Sequence, residues 1–374
     1  MFAELLDDSL GGGGSTELIA TDATASVDDF LNGAIVKAED ISPLAILKEG
    51  EFDPRLMRTS YSGNLSMHTC PRKHQLKCLG AKREADEKSQ ITFAFGHVVG
   101  QGIQDIIVGK SWDEVIFELF RGWHAPFDAE DEKQKKSITE AVHCLQQFQA
   151  LYYNGLLNEY EVAYFNDKPA AEVGFTIKFP HTEFRGFVDL VLRHKMTGEL
   201  LVLELKTTSM NYVKPAAYKN SAQAIGYSVI LDKVEPGCTS YGVMYLVYMT
   251  KSCTFEVFEF PKTFHQRALW LRDRIIDEEF IVKLIREEGN YGIWPMYGES
   301  CNSYGRDCEF MDICHLDTRN VMQPLREKHY VDMSYETGKP AQYDFTITLE
   351  ELLEAQETIS NEEVVWQVSE IDGL

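Results

Sequence analysis

Two consecutive apolar stretches that contain charged residues constrain the fold of this chain more than any other feature. The stretches cover residues 186–194 and 200–208, and both have the composition of buried β-strands. Asp189 lies in the first stretch, and Glu204 and Lys206 lie two residues apart in the second. Side chains two residues apart on a strand share a face, so Glu204 and Lys206 are expected to project together.

Three charges among apolar strands require partners, because burying an unpaired charge is costly. A reverse turn around Gly198 would bring Asp189 alongside Glu204. Two carboxylates suit Mg²⁺ or Mn²⁺, which can activate a water and neutralise charge on a phosphoryl group. Lys206 would then orient the water or stabilise developing charge. The alternative is an ordinary salt bridge between Lys206 and Asp189 or Glu204.

The order of the predicted elements favours an α/β protein of the mixed α+β kind, with a central mixed β-sheet flanked by helices. The stretch at 61–80 predicts a turn and a helix, the stretch at 93–109 predicts a second helix, and residues 111–160 show helical periodicity. Three short apolar stretches then predict an antiparallel meander. A helix follows near residues 217–231, then two more strands, and then a long helix at 265–288.

The ends of the chain are strongly acidic. The net charge is −23, and residues 1–50 carry ten acidic and two basic residues. Residues 344–374 carry nine acidic residues and no basic one. We expect both segments to be solvated, flexible tails around a folded domain at 61–320. Alternatively they imitate the charge of DNA or dock a partner.

Several classes of protein are not supported by the sequence. The Gly-rich stretch at 11–14 is not followed by the Gly-Lys-Ser/Thr of a phosphate-binding loop, which argues against a motor ATPase. The first residues lack the basic and apolar regions of a secretory signal, and no run of about 18 apolar residues occurs. We therefore expect a cytoplasmic protein with no membrane span.

The motif around Asp189, Glu204 and Lys206 resembles the core of the PD-(D/E)xK nuclease superfamily, with Val188 in place of the proline. The resemblance implies a restriction-endonuclease-like core in which the two acids bind metal and the lysine is catalytic. Downstream, Gln223 and Tyr227 match the Gln-x-x-x-Tyr motif of the RecB-like branch. By resemblance they line the active site and hold the lysine and the DNA backbone. The alternative interpretation is that Gln223 is a surface residue and Tyr227 is a core residue.

The same branch carries Gly-x-x-x-His on an upstream helix, and its histidine contacts metal. Counting from Gly96 places Gly100 at the histidine position, with His97 three residues early and Gln104 one turn later. We expect His97 to contact the metal from a different position on the helix, or Gln104 to replace the histidine as the metal contact. The alternative is that His97 is a helix-cap or core histidine. Some relatives also use an extra acid at the position of Glu172.

Eight cysteines occur, and three of them lie close together near the end of the predicted domain. Three thiolates in a loop need a fourth ligand, for which Cys70 is the first candidate and Cys78 or His315 the others. By resemblance to CRISPR-associated and AddB-type nucleases, a 4Fe–4S cluster is expected. Zinc and reduced thiols are the alternatives. The expected cluster ligands are Cys70, Cys301, Cys308 and Cys314.

The residues and the resemblance together predict a metal-dependent deoxyribonuclease, with exonuclease activity expected. The rival functions are a nicking or structure-specific endonuclease and a catalytically silent DNA-binding scaffold with a nuclease fold. DNA is the expected substrate, and a recombination or replication protein is a candidate partner. The build resembles phage-encoded members, which would act in the host cytoplasm. The basic stretch at 71–77 is either a phosphate contact or a solvated helix face.

Overall fold

A mixed β-sheet with helices on both faces forms the core of the protein. The computed structural model describes residues 52–79, 87–303, 306–318 and 343–361. The strands are β1 (Arg58–Thr59), β2 (Tyr160–Val162), β3 (Tyr164–Phe165), β4 (Lys168–Pro169), β5 (Ala171–Lys178), β6 (Glu183–His194), β7 (Leu200–Thr208), β8 (Ser240–Met249), β9 (Thr254–Thr263), β10 (Asn302–Ser303), β11 (Arg306–Asp307) and β12 (Tyr343–Thr348). In the main sheet they lie in the order β12-β5-β6-β7-β8-β9, and β1 and β2 both pair with β6.

Helices cover both faces of this sheet, which confirms the predicted fold class. The first five precede the meander, three short ones lie between β7 and β8, and a long one follows β9. They are α1 (Tyr61–Thr69), α2 (Pro71–Cys78), α3 (Glu87–Val108), α4 (Trp112–Gly122), α5 (Ile138–Tyr153), α6 (Ala216–Lys219), α7 (Ala222–Val229), α8 (Leu231–Val234), α9 (Phe264–Glu288) and α10 (Leu349–Asn361).

The strand directions follow the predicted meander. Strand β6 is antiparallel to both β5 and β7, whereas β7 and β8 are parallel because the short helices carry the chain across the sheet between them. Strand β9 returns antiparallel to β8. The segment expected as one helix near 217–231 is broken, because Ser221 ends one turn and caps the next by accepting from Ala224 N.

Two apolar layers lie on opposite faces of the sheet. One packs the sheet against α7, α9 and α10, and it contains Val202 and Tyr245. The other packs the sheet against α3, α4 and α5, and it contains Leu201 and Leu203. The alternation along β7 is that of a strand buried on both faces. Consequently Glu204 and Lys206, which share the face of Val202, point towards α7.

Helix α3 is long and apolar enough to cross a membrane by length and composition alone. However, 61% of its most apolar window, in Gln90–Val108, is buried inside the protein. The helix packs against α4, α5 and β7. These contacts are those of a helix in a protein core.

The expectation of a tail at 344–374 is wrong for its first part. Strand β12 pairs in parallel with β5 over six residues, and α10 follows it directly. Ile347, Leu349 and Leu352 are fully buried, whereas Glu350 is exposed. The acidic composition therefore belongs partly to the outer face of an amphipathic segment, and average charge does not reveal that alternation. Residues 1–50 and 362–374 lie outside the described part of the chain.

The burial of Ile347 makes β12 testable. We expect Ile347→Ala to lower the free energy of unfolding by about 2–5 kcal/mol, because it removes a fully buried side chain and leaves a cavity. Urea denaturation measures the change. Val257→Ala is the matched control, since Val257 is 40% exposed on β9, and it should cost less than about 1 kcal/mol. Equal losses in the two variants would contradict the packing of β12 on the sheet.

Candidate active site

The two strands that carry the candidate active site diverge at the site itself. Strands β6 and β7 pair from Arg193 opposite Leu200 to Leu190 opposite Leu203, and the pairing ends there. Further along the same edge of β6, β1 pairs only with residues 183–184. Residues 185–189 therefore face a gap between β7 and β1 within the described sheet. The backbone of residues 185–189 is therefore not paired with another strand on this edge of the described sheet.

Asp189 and Glu204 lie where the gap begins, directly after the last paired residues of β6 and β7. The register that pairs Leu190 with Leu203 places Asp189 opposite Glu204. The backbone N–H of Leu205 donates to Asp189 Oδ2 at 2.7 Å, so the carboxylate occupies the position of the next ladder acceptor. The turn that contains Gly198, with its φ of 78°, connects the two strands as expected. The first two acids of the motif are thus brought together.

Lys206 connects this pair to the following helix. Its Nζ donates to Glu204 Oε1 at 2.5 Å and to Gln223 Oε1 at 3.1 Å. Gln223 Nε2 donates in turn to the hydroxyl of Tyr227 at 2.7 Å. Residues four apart lie on one face of a helix, so α7 presents Gln223 and Tyr227 to the lysine together. The chain of hydrogen bonds fixes the position of the ammonium group.

Two glycines allow these elements to approach closely. A Cβ on Gly226 would lie 2.5 Å from Trp270 Cζ2, so a glycine here lets α7 pack directly on α9. A Cβ on Gly186 would collide with the ring of Phe175 and lie 3.2 Å from Tyr227 Cε1. The glycine before the motif therefore makes space for the tyrosine of α7.

The electrostatics of the site favour binding of a cation. Burial raises the pKa of Asp189 well above its usual value, and the neighbouring Glu204 raises it further. Burial also raises the pKa of Glu204, although Lys206 opposes the change. Burial alone would lower the pKa of Lys206, but Glu204 and Asp189 leave it raised. Two carboxylates this close ionise together only when positive charge is added.

The donor atoms fit a divalent metal ion. Glu204 is 2% exposed, and its Oε2 atom is buried without a hydrogen-bond partner among the described residues. An unsatisfied buried carboxylate oxygen is costly, and a bound cation would satisfy it. Carboxylate oxygens are the ligands preferred by Mg²⁺ and Mn²⁺.

Glu172 is the third acid near this pair. It lies on β5 at the register position opposite Asp189, and its φ of 49° is in the left-handed region. Its charge contributes to the raised pKa of Asp189 and of Tyr227. Glu172 therefore belongs to the electrostatic surroundings of the site.

Two tyrosines near the site were not predicted as part of it. Tyr245 on β8 lies opposite Glu204 in the register. Burial raises its pKa to about 12, and Glu204 contributes to that change. Tyr218 packs on Tyr245 with ring centroids 4.6 Å apart, and it lies near enough to Lys206 to affect the lysine's pKa. The sequence gives no signal for Tyr245, because it is one apolar strand residue among many.

The expectation that His97 completes the metal site is not supported by its position. His97 is exposed on α3, and its ring stacks on His124 with centroids 6.3 Å apart. It is Gly96 whose added Cβ would approach β7, at 3.9 Å from Thr207 Oγ1. Gln104 is buried, and its Oε1 atom has no hydrogen-bond partner in the part of the chain that the structure describes. We leave both His97 and Gln104 out of the proposed metal site.

Three of the expected cluster cysteines, Cys70, Cys301 and Cys308, lie near enough to the fourth, Cys314, to affect its pKa. Burial raises the pKa of Cys314, and the charges of Cys301, Cys308 and Cys70 raise it further. The N–H of Cys308 donates to the carbonyl of Cys301 at 2.7 Å, which closes the loop between them. Cys70 lies between α1 and α2 in extended conformation (φ −162°), because the proline at 71 disfavours helical geometry before it.

The basic stretch at 71–77 is mostly structural. Arg72 is fully buried, and its guanidinium donates to the carbonyls of Cys314 at 2.8 Å and Leu316 at 2.7 Å. His74 is also buried, and burial lowers its pKa to about 4. Neither side chain can contact a phosphate. Arg72 instead holds the cysteine loop against α2.

Comparison with known proteins gives one family. A sequence model of the PD-(D/E)XK nuclease superfamily matches residues 58–315. No curated protein sequence matches the chain significantly. A crystal structure of SSO0001 aligns at 13% identity over 61% of this chain and 86% of that chain, with a TM-score of 0.23. We base no argument on that structural likeness.

Proposed function

The chain belongs to the PD-(D/E)XK nuclease superfamily, and from this membership we propose that it is a RecB-like deoxyribonuclease with exonuclease activity. The observation that carries the proposal is the meeting of Asp189, Glu204 and Lys206 where β6 and β7 diverge. Membership of the superfamily suggests metal-dependent hydrolysis of phosphodiester bonds. We propose three points beyond family membership: exonuclease activity, DNA as the preferred nucleic acid, and a place in the RecB-like branch.

In this proposal Asp189 and Glu204 hold Mg²⁺ or Mn²⁺. When bound by these two carboxylates, such an ion would supply positive charge that lowers the pKa of a coordinated water and offsets charge on the phosphate. Lys206 donates a hydrogen bond towards the attacking water or the phosphoryl oxygen, where negative charge develops. Gln223 and Tyr227 keep the ammonium at that position through their hydrogen-bond chain. Preorganised donors of this kind cost no rearrangement during the reaction.

We further propose that Cys70, Cys301, Cys308 and Cys314 hold a 4Fe–4S cluster, with zinc as the alternative. The nearness of Cys70, Cys301 and Cys308 to Cys314 and the buried Arg72 beside Cys314 support the proposal. The cluster would join the start of α2 to the loop after α9, and so tie together two segments far apart in sequence. Iron–sulfur chemistry suits the reducing cytoplasm, where a recombination or replication partner would also act.

The test compares linear with covalently closed circular DNA. The anaerobically purified protein is incubated with labelled DNA and Mn²⁺ or Mg²⁺, and Asp189→Asn serves as the metal-site control. An exonuclease degrades the linear substrate only, and Asp189→Asn shows no degradation. Cleavage of the closed circle would favour the endonuclease instead. Binding of DNA without any cleavage, with either metal, would leave only the scaffold.

A further inference from the structure

A second group of metal-binding side chains lies where the first turn of α5 meets the β8–β9 hairpin. It consists of Glu140, His143 and Cys253, whose ligand atoms all lie within 4.8 Å of one another. We propose that these three residues form a zinc site, with water as the fourth ligand. It shares no residue with the nuclease site or with the four clustered cysteines.

The distances fit a tetrahedral ion. His143 Nδ1 lies 3.6 Å from Glu140 Oε2, and Cys253 Sγ lies 3.5 Å from Glu140 Oε1. Zinc bonds of about 2.0–2.3 Å place the ligands of a tetrahedron roughly 3.3–3.8 Å apart. Both contacts match this separation, but they involve different oxygens of Glu140, so its carboxylate must turn to place one oxygen on the ion.

The local structure presents the ligands from two elements. Glu140 and His143 are three residues apart on α5, so they lie on the same face of the helix. The Glu-x-x-His spacing is one that helices use for metal ligands. Cys253 comes from the turn between β8 and β9, where its φ is 52°. A non-glycine residue in this left-handed region is strained, and such strain is concentrated at functional positions.

Neighbouring side chains orient two of the ligands. The hydroxyl of Tyr248 donates to Glu140 Oε1 at 2.5 Å. The side-chain amide of Gln147 lies 3.2 Å from His143 Nε2, and with the amide turned by 180° its carbonyl oxygen accepts a hydrogen bond from the Nε2–H group. Nδ1 is then available to bind the ion. Partners that orient ligands in this way are a regular feature of metal sites.

The ligand chemistry selects the ion. One thiolate, one imidazole and one carboxylate suit zinc, whereas Mg²⁺ prefers oxygen ligands. Charges balance, because Zn²⁺ is neutralised by the thiolate and the carboxylate. The proton of Cys253 leaves to solvent when the ion binds. The side chain of His143 is 48% exposed, so the fourth position is open to water.

The site would fasten the hairpin to the helix layer. The turn already contacts the segment before α5, since Thr250 Oγ1 donates to the carbonyl of Gln134 at 2.5 Å. Strand β8 is the parallel neighbour of β7, and Tyr248 lies opposite Thr207, next to Lys206. A bound ion would therefore stabilise the sheet edge close to the nuclease strand.

Zinc content tests the proposal. The full-length wild type, His143→Ala and Cys253→Ala are incubated with Zn²⁺, freed of loose metal and analysed for zinc per chain. Both variants should hold one zinc fewer than the wild type, whatever metal the four clustered cysteines hold. Cys238→Ala is the control, because Cys238 is a partly buried cysteine outside both groups, and it should match the wild type. Equal zinc content in all four proteins would overturn the proposal.

Thermal unfolding provides a second readout that does not depend on counting ions. Zinc at about 100 times its Kd should raise the Tm of the wild type and Cys238→Ala by about 3–5 °C. His143→Ala should fold, because the side chain of His143 is about half exposed. Its Tm should not rise at the zinc concentration that raises the Tm of the wild type. To isolate the site, the four clustered cysteines are first saturated with iron or zinc. An equal rise in His143→Ala would contradict the proposal.

Discussion

Replacing Lys206 with alanine is expected to lower the rate of phosphodiester hydrolysis by roughly 10²–10³-fold, the cost of removing one preorganised donor from an active site. The ammonium group is the only cationic group that the described hydrogen bonds bring to the Asp189–Glu204 pair. Single-turnover degradation of labelled linear DNA with Mn²⁺ measures the loss. DNA binding should be retained, because the variant keeps both carboxylates for the metal.

The control for this variant is Lys233→Ala. Lys233 lies on α8, is 44% exposed and pairs with Glu351 at 2.7 Å, so its loss removes a lysine without touching the site. Its hydrolysis rate should equal that of the wild type. Since Lys206→Ala leaves Glu204 without its ion-pair partner, circular dichroism must show that both variants are folded. A folded Lys206→Ala variant with wild-type activity would show that the lysine is not catalytic.

Replacing Cys70 with alanine should have the largest effect on stability. We expect loss of visible iron–sulfur absorbance and a Tm lower by about 10 °C or more, because a metal site that joins distant segments contributes directly to folding. Anaerobic purification followed by absorbance, iron analysis and thermal unfolding measures both effects. Zinc in place of iron, again lost with Cys70, would favour the alternative metal.

Cys78→Ala is the matched control on the same helix segment. Its thiol lies 3.5 Å from His74 Nε2, and burial raises its pKa to about 12, so it is poorly suited to act as a thiolate ligand. Cys78→Ala should keep the metal and lose only the stability expected from a small cavity. Loss of metal in Cys78→Ala but not in Cys70→Ala would exchange the two assignments.

Much of the fold follows from local pattern. The apolar stretches predict β5, β6 and β7 as a meander, and the spacing of Gln223 and Tyr227 places them on one helical face. The long helix after β9 begins at a capping box of Thr263 and Gln266, a signal that is local in sequence. These features are predictable because their hydrogen bonds and periodicity involve neighbouring residues.

Other features required knowledge of distant contacts. Arg72 belongs to a basic stretch, yet it is buried and donates hydrogen bonds to carbonyls more than 200 residues away in the sequence. Ile347 lies in an acidic segment, yet it is buried beside β5. His97 lies one residue from the face of α3 that meets β7. Each outcome depends on which surface the rest of the chain supplies.

The sequence alone determined that two acids and a lysine lie on adjoining strands, because alternation along a strand and a tight turn are local constraints. It also determined that Gln223 and Tyr227 lie one helical turn apart and share one face of a helix. Only the tertiary structure decided that β6 and β7 part at those residues, that the segment of Cys70 and Arg72 lies against the loop of Cys314, and that α5 reaches the β8–β9 hairpin. These arrangements depend on long-range packing, in which each surface is complementary only to a partner distant in the chain.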